Sequence, residues 1–275
     1  MPSNVNLEVA KRRKNDEFYT SYECVERELS KPSYEELLRG KRVYCNTDNP
    51  YTSNFVRYFT EHFDALGLKS LTASCVANEY QPALVGRFGA GKTMRVAAIN
   101  EGDFRERGDL LASADVVITN PPFSQMRRYL EVLFDARKDF LIIAPLTIIR
   151  YLPVFERLRD GKLRAVCNSS KRFEMPNHSH LVAMSNTFWL TTLPVPYPPP
   201  VKLGRYGKRK FPNYDNFDAI EVKSSKNIPK YKGLMGLPIS FCYKYNPKQF
   251  GLLGLGTHLR CAGKQVFARM LAQLK

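Results

Sequence analysis

The chain predicts an α/β fold with a largely parallel sheet, because apolar runs of strand length alternate with helical patterns from residue 22 to residue 191. Val116–Thr119 and Phe140–Ala144 are continuous apolar runs, as expected of strands buried on both faces. Between them Met126, Tyr129, Leu130, Leu133 and Phe134 fall at helical spacing, one stripe to lay against a sheet. Arg42–Asn46, then Phe55, Phe59, Phe63 and Leu66, then Leu71–Cys75 repeat this strand–helix–strand order earlier in the chain.

Taken in order, residues 1–15 form a basic arm expected to be flexible. Helices are expected over Tyr22–Leu29 and Tyr34–Leu38, the second ending at Gly40. The first strand, Arg42–Asn46, is broken by Thr47-Asp48-Asn49-Pro50, and the helix carrying Phe55 to Leu66 stops at Gly67. Leu71–Cys75 reads as the second strand and Met94–Ile99 as the third. Val116–Thr119 and Phe140–Ala144 follow, with Arg164–Cys167 and Thr187–Thr191 as further strands. The organisation is Rossmann-like. Five prolines in the seven residues Pro194–Pro200 cannot continue a sheet interior and read as a stiff connector. Short apolar runs such as Leu237–Tyr243 lie beyond it, and a final helix is expected over His258–Leu274. The expected division is an arm, 1–15, an α/β domain, 16–193, and a linker with a basic region, 194–275, packed on that domain.

At 275 residues with 44% hydrophobic content, the chain has ample material for a core and is not disordered in character. No apolar run approaches bilayer length, and Lys11-Arg12-Arg13-Lys14 followed by acids lacks the apolar centre of a signal peptide. The expectation is a cytoplasmic protein with no membrane partner. The six cysteines are scattered without a Cys-x-x-Cys pair, so buried reduced thiols are expected. Asn177-His178-Ser179-His180 has no nearby carboxylate or cysteine and reads as a polar loop, so no metal is expected.

The net charge of +16 favours a polyanionic partner: nucleic acid first, an anionic membrane surface second. The excess is concentrated. Nine Lys or Arg stand against three acids between Lys202 and Lys232, with Tyr206, Phe211, Tyr214, Phe217 and Tyr231 interleaved to pack on sugars or bases. Arg205, Lys208, Arg209, Lys210, Lys223 and Lys226 are the candidate nucleic-acid-binding residues.

Asn120-Pro121-Pro122-Phe123, at the carboxyl end of a buried strand, is the candidate catalytic loop. The lone pair of an exocyclic base amine is delocalised into the ring, which makes the nitrogen a poor nucleophile. Two acceptors aimed at its N–H groups, the Asn120 side-chain carbonyl and the Pro121 backbone carbonyl, would localise that pair. Successive prolines hold the acceptors still, and Phe123 offers a face for an extruded base. The plainer alternative is a stiff turn with Phe123 returned to the core.

Gly86-Arg87-Phe88-Gly89-Ala90-Gly91-Lys92-Thr93 satisfies the phosphate-loop pattern G-x-x-x-x-G-K-[ST]. A true phosphate loop leads from a strand into a helix, whereas Met94–Ile99 is rich in β-formers and Asn78–Val85 is poor in them. A glycine-rich hairpin is the better reading.

Several segments together resemble the adenine-specific DNA methyltransferases of the EcoRI type. They are Asn15-Asp16-Glu17-Phe18-Tyr19-Thr20, Val43-Tyr44-Cys45-Asn46 with Asp48 and Pro50, and Asn120 to Ser124. Asn216-Phe217-Asp218-Ala219-Ile220-Glu221-Val222 and Met235-Gly236-Leu237-Pro238-Ile239 complete the likeness, which covers about residues 15 to 255. The tetrad is shared by many amino-methyltransferases; its combination with both ends is far more specific. The resemblance implies a class I methyltransferase fold and methyl transfer from S-adenosylmethionine to the N6 amino group of adenine in double-stranded DNA, by base flipping, within restriction–modification. It implies that Asn120, Pro121, Pro122 and Phe123 form the target-base pocket, and that Phe18, Tyr19, Thr20, Asn46, Asp48 and Asp103 hold the cofactor. Asp48 would lie near the methionine end and Asp103 near the adenine, although Asp103 also suits a Gly-Asp turn. The loop after the first strand lacks the usual glycines. The second strand ends at Ser74-Cys75 without a ribose-binding acid, though Glu79 is near. A monomer is expected. Methylation of RNA bases or of a protein glutamine, and a DNA-binding relative without activity, are the alternatives.

Overall fold

The computed structural model describes residues 19–78, 81–100, 102–167, 172–174, 181–183, 186–208 and 210–275. The arm 1–15, Phe18, Glu79, the loop 177–180 and Arg209 lie outside the described residues. The chain forms two compact units, one from residues up to 145 with 167–193, the other from 146–166 with 194–275.

The first unit opens with β1 (Tyr19–Thr20), α1 (Tyr22–Leu29), α2 (Pro32–Leu38), β2 (Arg42–Cys45), α3 (Asn54–Glu61) and β3 (Ser70–Cys75). It continues through β4 (Ala83–Phe88), β5 (Arg95–Ile99), α4 (Gly108–Ser113), β6 (Val116–Thr119), α5 (Met126–Asp135) and β7 (Asp139–Pro145). α6 (Leu152–Arg159) and β8 (Arg164–Cys167) as far as residue 166 belong to the second unit, and β9 (Arg172–Glu174), β10 (Leu181–Ala183) and β11 (Thr187–Thr191) return to the first. The main sheet has eight strands in the order β5-β4-β3-β2-β6-β7-β11-β8, and β1, β9 and β10 form a small sheet of their own.

The main sheet mixes parallel and antiparallel pairs. β3–β2, β2–β6 and β6–β7 are parallel pairs, whereas β3–β4, β4–β5 and β7–β11 are antiparallel. The largely parallel sheet expected from the sequence is thus a mixed one. Loops 76–82 and 89–94 are too short for the crossover that parallel neighbours require, so β3, β4 and β5 fold back on one another. β4 is the strand that precedes the glycine-rich turn, and the proline and scarcity of β-formers in Asn78–Val85 leave it without a strand signature of its own. Every residue of β6 is buried, as are Phe140–Ala144 of β7. Met126, Tyr129, Leu130 and Leu133 of α5 are buried beside them, as the helical stripe predicts.

The phosphate-loop pattern falls on the β4–β5 hairpin. Lys92 sits in its turn with φ 51°, and its ammonium pairs with Asp64 at 2.6 Å, both side chains largely exposed. Gly86 lies against Pro50, where a β-carbon would come within 2.6 Å of the proline ring.

In the second unit, β12 (Ile220–Glu221), β13 (Met235–Pro238), β14 (Phe250–Gly256) and β17 (Arg269–Leu274) form a four-stranded sheet ordered β12-β13-β17-β14. β15 (Arg260–Cys261) and β16 (Lys264–Gln265) make a separate hairpin. The final helix expected over His258–Leu274 is therefore absent. Residues 269–274 are good helix formers, yet β17 is the central strand of its sheet, bonded to β13 and β14. Two flanking ladders outweigh a helical preference of tenths of a kcal/mol per residue. The proline-rich 194–200 stretch has no regular structure and is tied down at Pro198 O by Asn246 (2.8 Å); just beyond it, Gln249 brackets the Val201 backbone with two bonds of 2.8 Å.

Candidate active site

The strand order reverses between β2 and β6: β2 leads on to β3 on one side, and β6 leads on to β7 on the other. In an open α/β sheet the crevice at the carboxyl ends of such strands is where ligands bind. Asn46, Thr47 and Asp48 follow β2 there, and Asn120 to Phe123 follow β6.

Side chains stitch the two strand ends together. Thr47 Oγ1 lies 2.6 Å from Thr119 Oγ1 and donates to the Asn120 carbonyl at 3.3 Å. The Thr119 hydroxyl donates to Asp48 Oδ2, while Ser53 Oγ donates to Asp48 Oδ1 at 2.5 Å. Ser53 also caps α3, accepting from the Phe55 and Val56 amides at 3.1 and 3.5 Å. Asn54, the first residue of that helix, donates to the Thr20 carbonyl at 2.9 Å, which joins β1 to the cluster. The Asp48 amide donates to Ser74 O at 2.8 Å, so the end of β3 is bound in as well. Thr20, Asp48 and Asn120 thus belong to one hydrogen-bonded framework.

Asn46 is 2% exposed and accepts from the Tyr129 hydroxyl of α5 at 2.5 Å. Burial pushes the Tyr129 phenol well above its usual range, so it remains a proton donor to Asn46. Its ring meets Phe104 edge-on at 4.9 Å, which packs the loop after β5 against α5. Within the tetrad Pro121 is buried, while Asn120, Pro122 and Phe123 are half-buried. Phe123 starts a short 3-10 turn, and Gln125 N takes up the Pro122 carbonyl at 3.0 Å. Among the described residues no backbone hydrogen bond takes up the Pro121 carbonyl.

Asp103 stands at the entrance to another strand end. Gly102 before it passes so close to Cys75 that a β-carbon would lie 2.1 Å from the Cys75 carbonyl oxygen. The Asp103 carboxylate is engaged by Arg105, through Nε at 2.7 Å, Nη2 at 2.5 Å and its backbone amide at 2.9 Å. Those bonds hold its pKa below the usual range. Asp103 thus sits in a turn with Arg105, and a ligand there would share the carboxylate with it.

Sequence reasoning assigns no site role to Thr47, Ser53 or Thr119 and places Tyr129 only in the stripe of α5. Ser53 was readable, since a serine just ahead of the stripe beginning at Phe55 is a helix-start signal. The other three bond to residues more than 70 positions away, and nothing local announces those contacts. In the second unit Arg205, Lys208, Lys210, Lys223 and Lys226 are all exposed. Their aromatic neighbours largely pack on one another: Tyr206 stacks on Tyr231 at 4.8 Å and on Phe211 at 6.2 Å, and Phe211 and Tyr214 are buried. Phe217 alone of the five is exposed.

Four cysteines (24, 45, 75 and 242) are buried free thiols. Among the described residues no cluster of His, Cys, Asp and Glu could hold a metal, and no helix is long and apolar enough to cross a membrane.

Residues 6–273 match the family described as adenine-specific methyltransferase EcoRI. The chain is 38% identical to the type II methyltransferase M.EcoRI of Escherichia coli, over 91% of this chain and 89% of the relative. It is 32% identical to the type II methyltransferase M.MpnI of Mycoplasma pneumoniae, over 89% and 83%. A third relative, M.MgeORF184P of Mycoplasma genitalium, is 31% identical over 89% and 84%. No solved structure matches the chain.

Proposed function

The chain belongs to the adenine-specific methyltransferase EcoRI family, and from that premise we propose that it methylates the N6 amino group of adenine in double-stranded DNA. The observation that carries the chemistry is the Asn120–Phe123 loop at the sheet's switch point, bonded through Thr47 and Thr119 to Asp48. The parallel strands β3, β2, β6 and β7 and their reversal support a Rossmann-like class I methyltransferase fold.

S-adenosylmethionine is the methyl donor in this reading, its sulfonium supplying a methyl carbon open to direct attack. The residues present fit it. Its α-amino group needs an acidic partner, and the buried Asp48 carboxylate, oriented by Ser53 and Thr119, is one. Thr20 Oγ1 is buried with no partner among the described residues, an acceptor or donor in reserve. Asn46 and Asp103 complete the set on this chain, with Tyr19 beside Thr20 and Phe18 preceding them.

Asn120 and the Pro121 carbonyl would accept from the two N–H groups of an everted adenine, localising the nitrogen lone pair for attack. Phe123 would stack on one face of the base, and eversion costs a few kcal/mol. The framework around Asp48 keeps the acceptors fixed, so alignment rather than proton transfer is what the protein contributes. The exposed lysines and arginines of 202–232 would grip the DNA backbone, making residues 194–275 the recognition region and 16–193 the catalytic one. A cytoplasmic monomer without metal completes the proposal.

The test is to incubate the protein with methyl-labelled S-adenosylmethionine and duplex DNA, digest to nucleosides and identify the labelled base. Label in N6-methyladenine is expected. Label in RNA or protein, with none in DNA adenine, would overturn the proposal.

A further inference from the structure

The small β15–β16 hairpin has a construction that the basic segment lacks. Its tip is a two-residue turn, Ala262-Gly263, with φ of 51° and 73°, the backbone of a tight primed turn. Positive φ is costly at alanine, and here the turn is held from outside. Asp215 accepts both tip amides, Ala262 N at 3.1 Å and Gly263 N at 2.7 Å. Asn216 accepts from Arg260 N and donates to His258 O, each at 2.9 Å, and Asp215 N donates to Arg260 O at 2.8 Å. Two consecutive residues of a neighbouring loop thus clamp the hairpin in one conformation.

Its two faces differ. Leu259, Cys261 and Val266 turn inward against the cluster of Tyr214, Ala219 and Leu271. Arg260 and Gln265 are directly paired across the ladder and both exposed, so they stand side by side on the outer face. Lys264 is exposed beside the tip. Arginine matches the O6/N7 edge of guanine, and glutamine the N6/N7 edge of adenine. A two-stranded ribbon is one of the shapes the major groove admits. Phosphate binding suits this hairpin poorly, because the Asp215 carboxylate is held at its tip beside Arg260 and Lys264. The run from Lys202 to Lys210, free of acids, serves that purpose far better.

We infer that the β15–β16 hairpin is a sequence-reading element, with Arg260 and Gln265 contacting base edges in the major groove of the DNA substrate. This rests on the DNA methylation reading above. Phe217, 42% exposed in the clamping loop, adds an apolar surface of the kind that meets thymine methyl groups.

The experiment measures methylation of the protein's own recognised duplex and of every single-base-pair variant of it. Wild type is compared with Arg260→Ala, Arg260→Lys and Gln265→Ala, with thermal melting to verify folding. Each substitution is expected to lower kcat/KM on the recognised duplex about 10- to 100-fold and to erase discrimination at one base pair. Affinity for unrelated duplex and the salt dependence of binding stay as in wild type. Arg260→Lys keeps the charge but not the bidentate fork, and should lose discrimination as alanine does. A uniform loss on all duplexes with a shallower salt slope would assign Arg260 to phosphate and sink the inference, as would unchanged discrimination in all three variants. If wild type modifies no duplex DNA at all, the underlying methylation reading fails first, a result readily told apart from these.

Discussion

Asn120 is fixed from two directions, by Thr47 at its backbone carbonyl and by the rigid Pro121-Pro122 pair that follows it. Its side chain therefore arrives at the strand end without having to search for its geometry, which is what a positioning catalyst requires. Asn120→Ala is expected to lower methyl-transfer turnover by about 100-fold or more, the scale seen when one pre-organised polar group is removed from a reacting centre. S-adenosylmethionine affinity measured by calorimetry should stay close to wild type, since Asn120 is assigned to the base and not to the donor. Wild-type turnover in that variant would remove Asn120 from the chemistry. The threonines around it owe their importance to position. Thr119 ends a strand whose other residues are all apolar, so its hydroxyl emerges beside Asp48, where a buried carboxylate needs a donor.

Among elements, the pairing of β2 with β6 creates the crevice, and its opposite end is locked by an ion pair. Arg42 begins β2 and Asp115 immediately precedes β6. The carboxylate accepts from Arg42 N at 2.8 Å, Nε at 3.0 Å and Nη2 at 2.7 Å. Hydrogen bonding from Arg42 lowers the Asp115 pKa to about 2, against 3.8 for the free side chain. A carboxylate depressed on folding stabilises the protein above its unfolded pKa, and that contribution disappears as the pH falls through the folded one. Asp115→Asn should therefore cost about 1 kcal/mol in urea unfolding at pH 7, a modest figure because Arg42 is 43% exposed. The gap to wild type should hold down to about pH 4 and close on approaching pH 2. A gap independent of pH would mean that the ion pair is not its source. At the same scale the glycine-rich hairpin shows how little a pattern means without its flanks: β4 and β5 enclose it, and Lys92 reaches Asp64.

Over the whole molecule, a charge of +16 makes association with a polyanion predominantly a matter of counterion release. Lys208, Lys210 and Lys223 are exposed, and replacing all three by alanine is expected to weaken DNA binding about equally on every sequence. The slope of log affinity against log salt should flatten by about one for each phosphate no longer neutralised, read by fluorescence anisotropy across a salt series. An unchanged slope would place the phosphate-binding residues elsewhere on the chain. The aromatics threaded through this segment contribute differently from what their spacing suggests. Tyr206, Phe211 and Tyr231 stack among themselves and give the basic stretch a core of its own.

The strands with continuous apolar runs, the stripe on α5 and the position of the Asn120 loop after β6 were legible in the residues alone, because each is written in consecutive or helically spaced positions. The sequence also carried the excess of positive charge and its concentration after residue 202. The three-dimensional fold was needed to show that β4 and β5 turn back on β3, that residues 269–274 become a central strand, that Thr119 reaches Asp48 and that Thr47 reaches Asn120. Those outcomes depend on partners distant in the chain, whose hydrogen bonds and burial outweigh local preference and leave no local trace in the residues they govern.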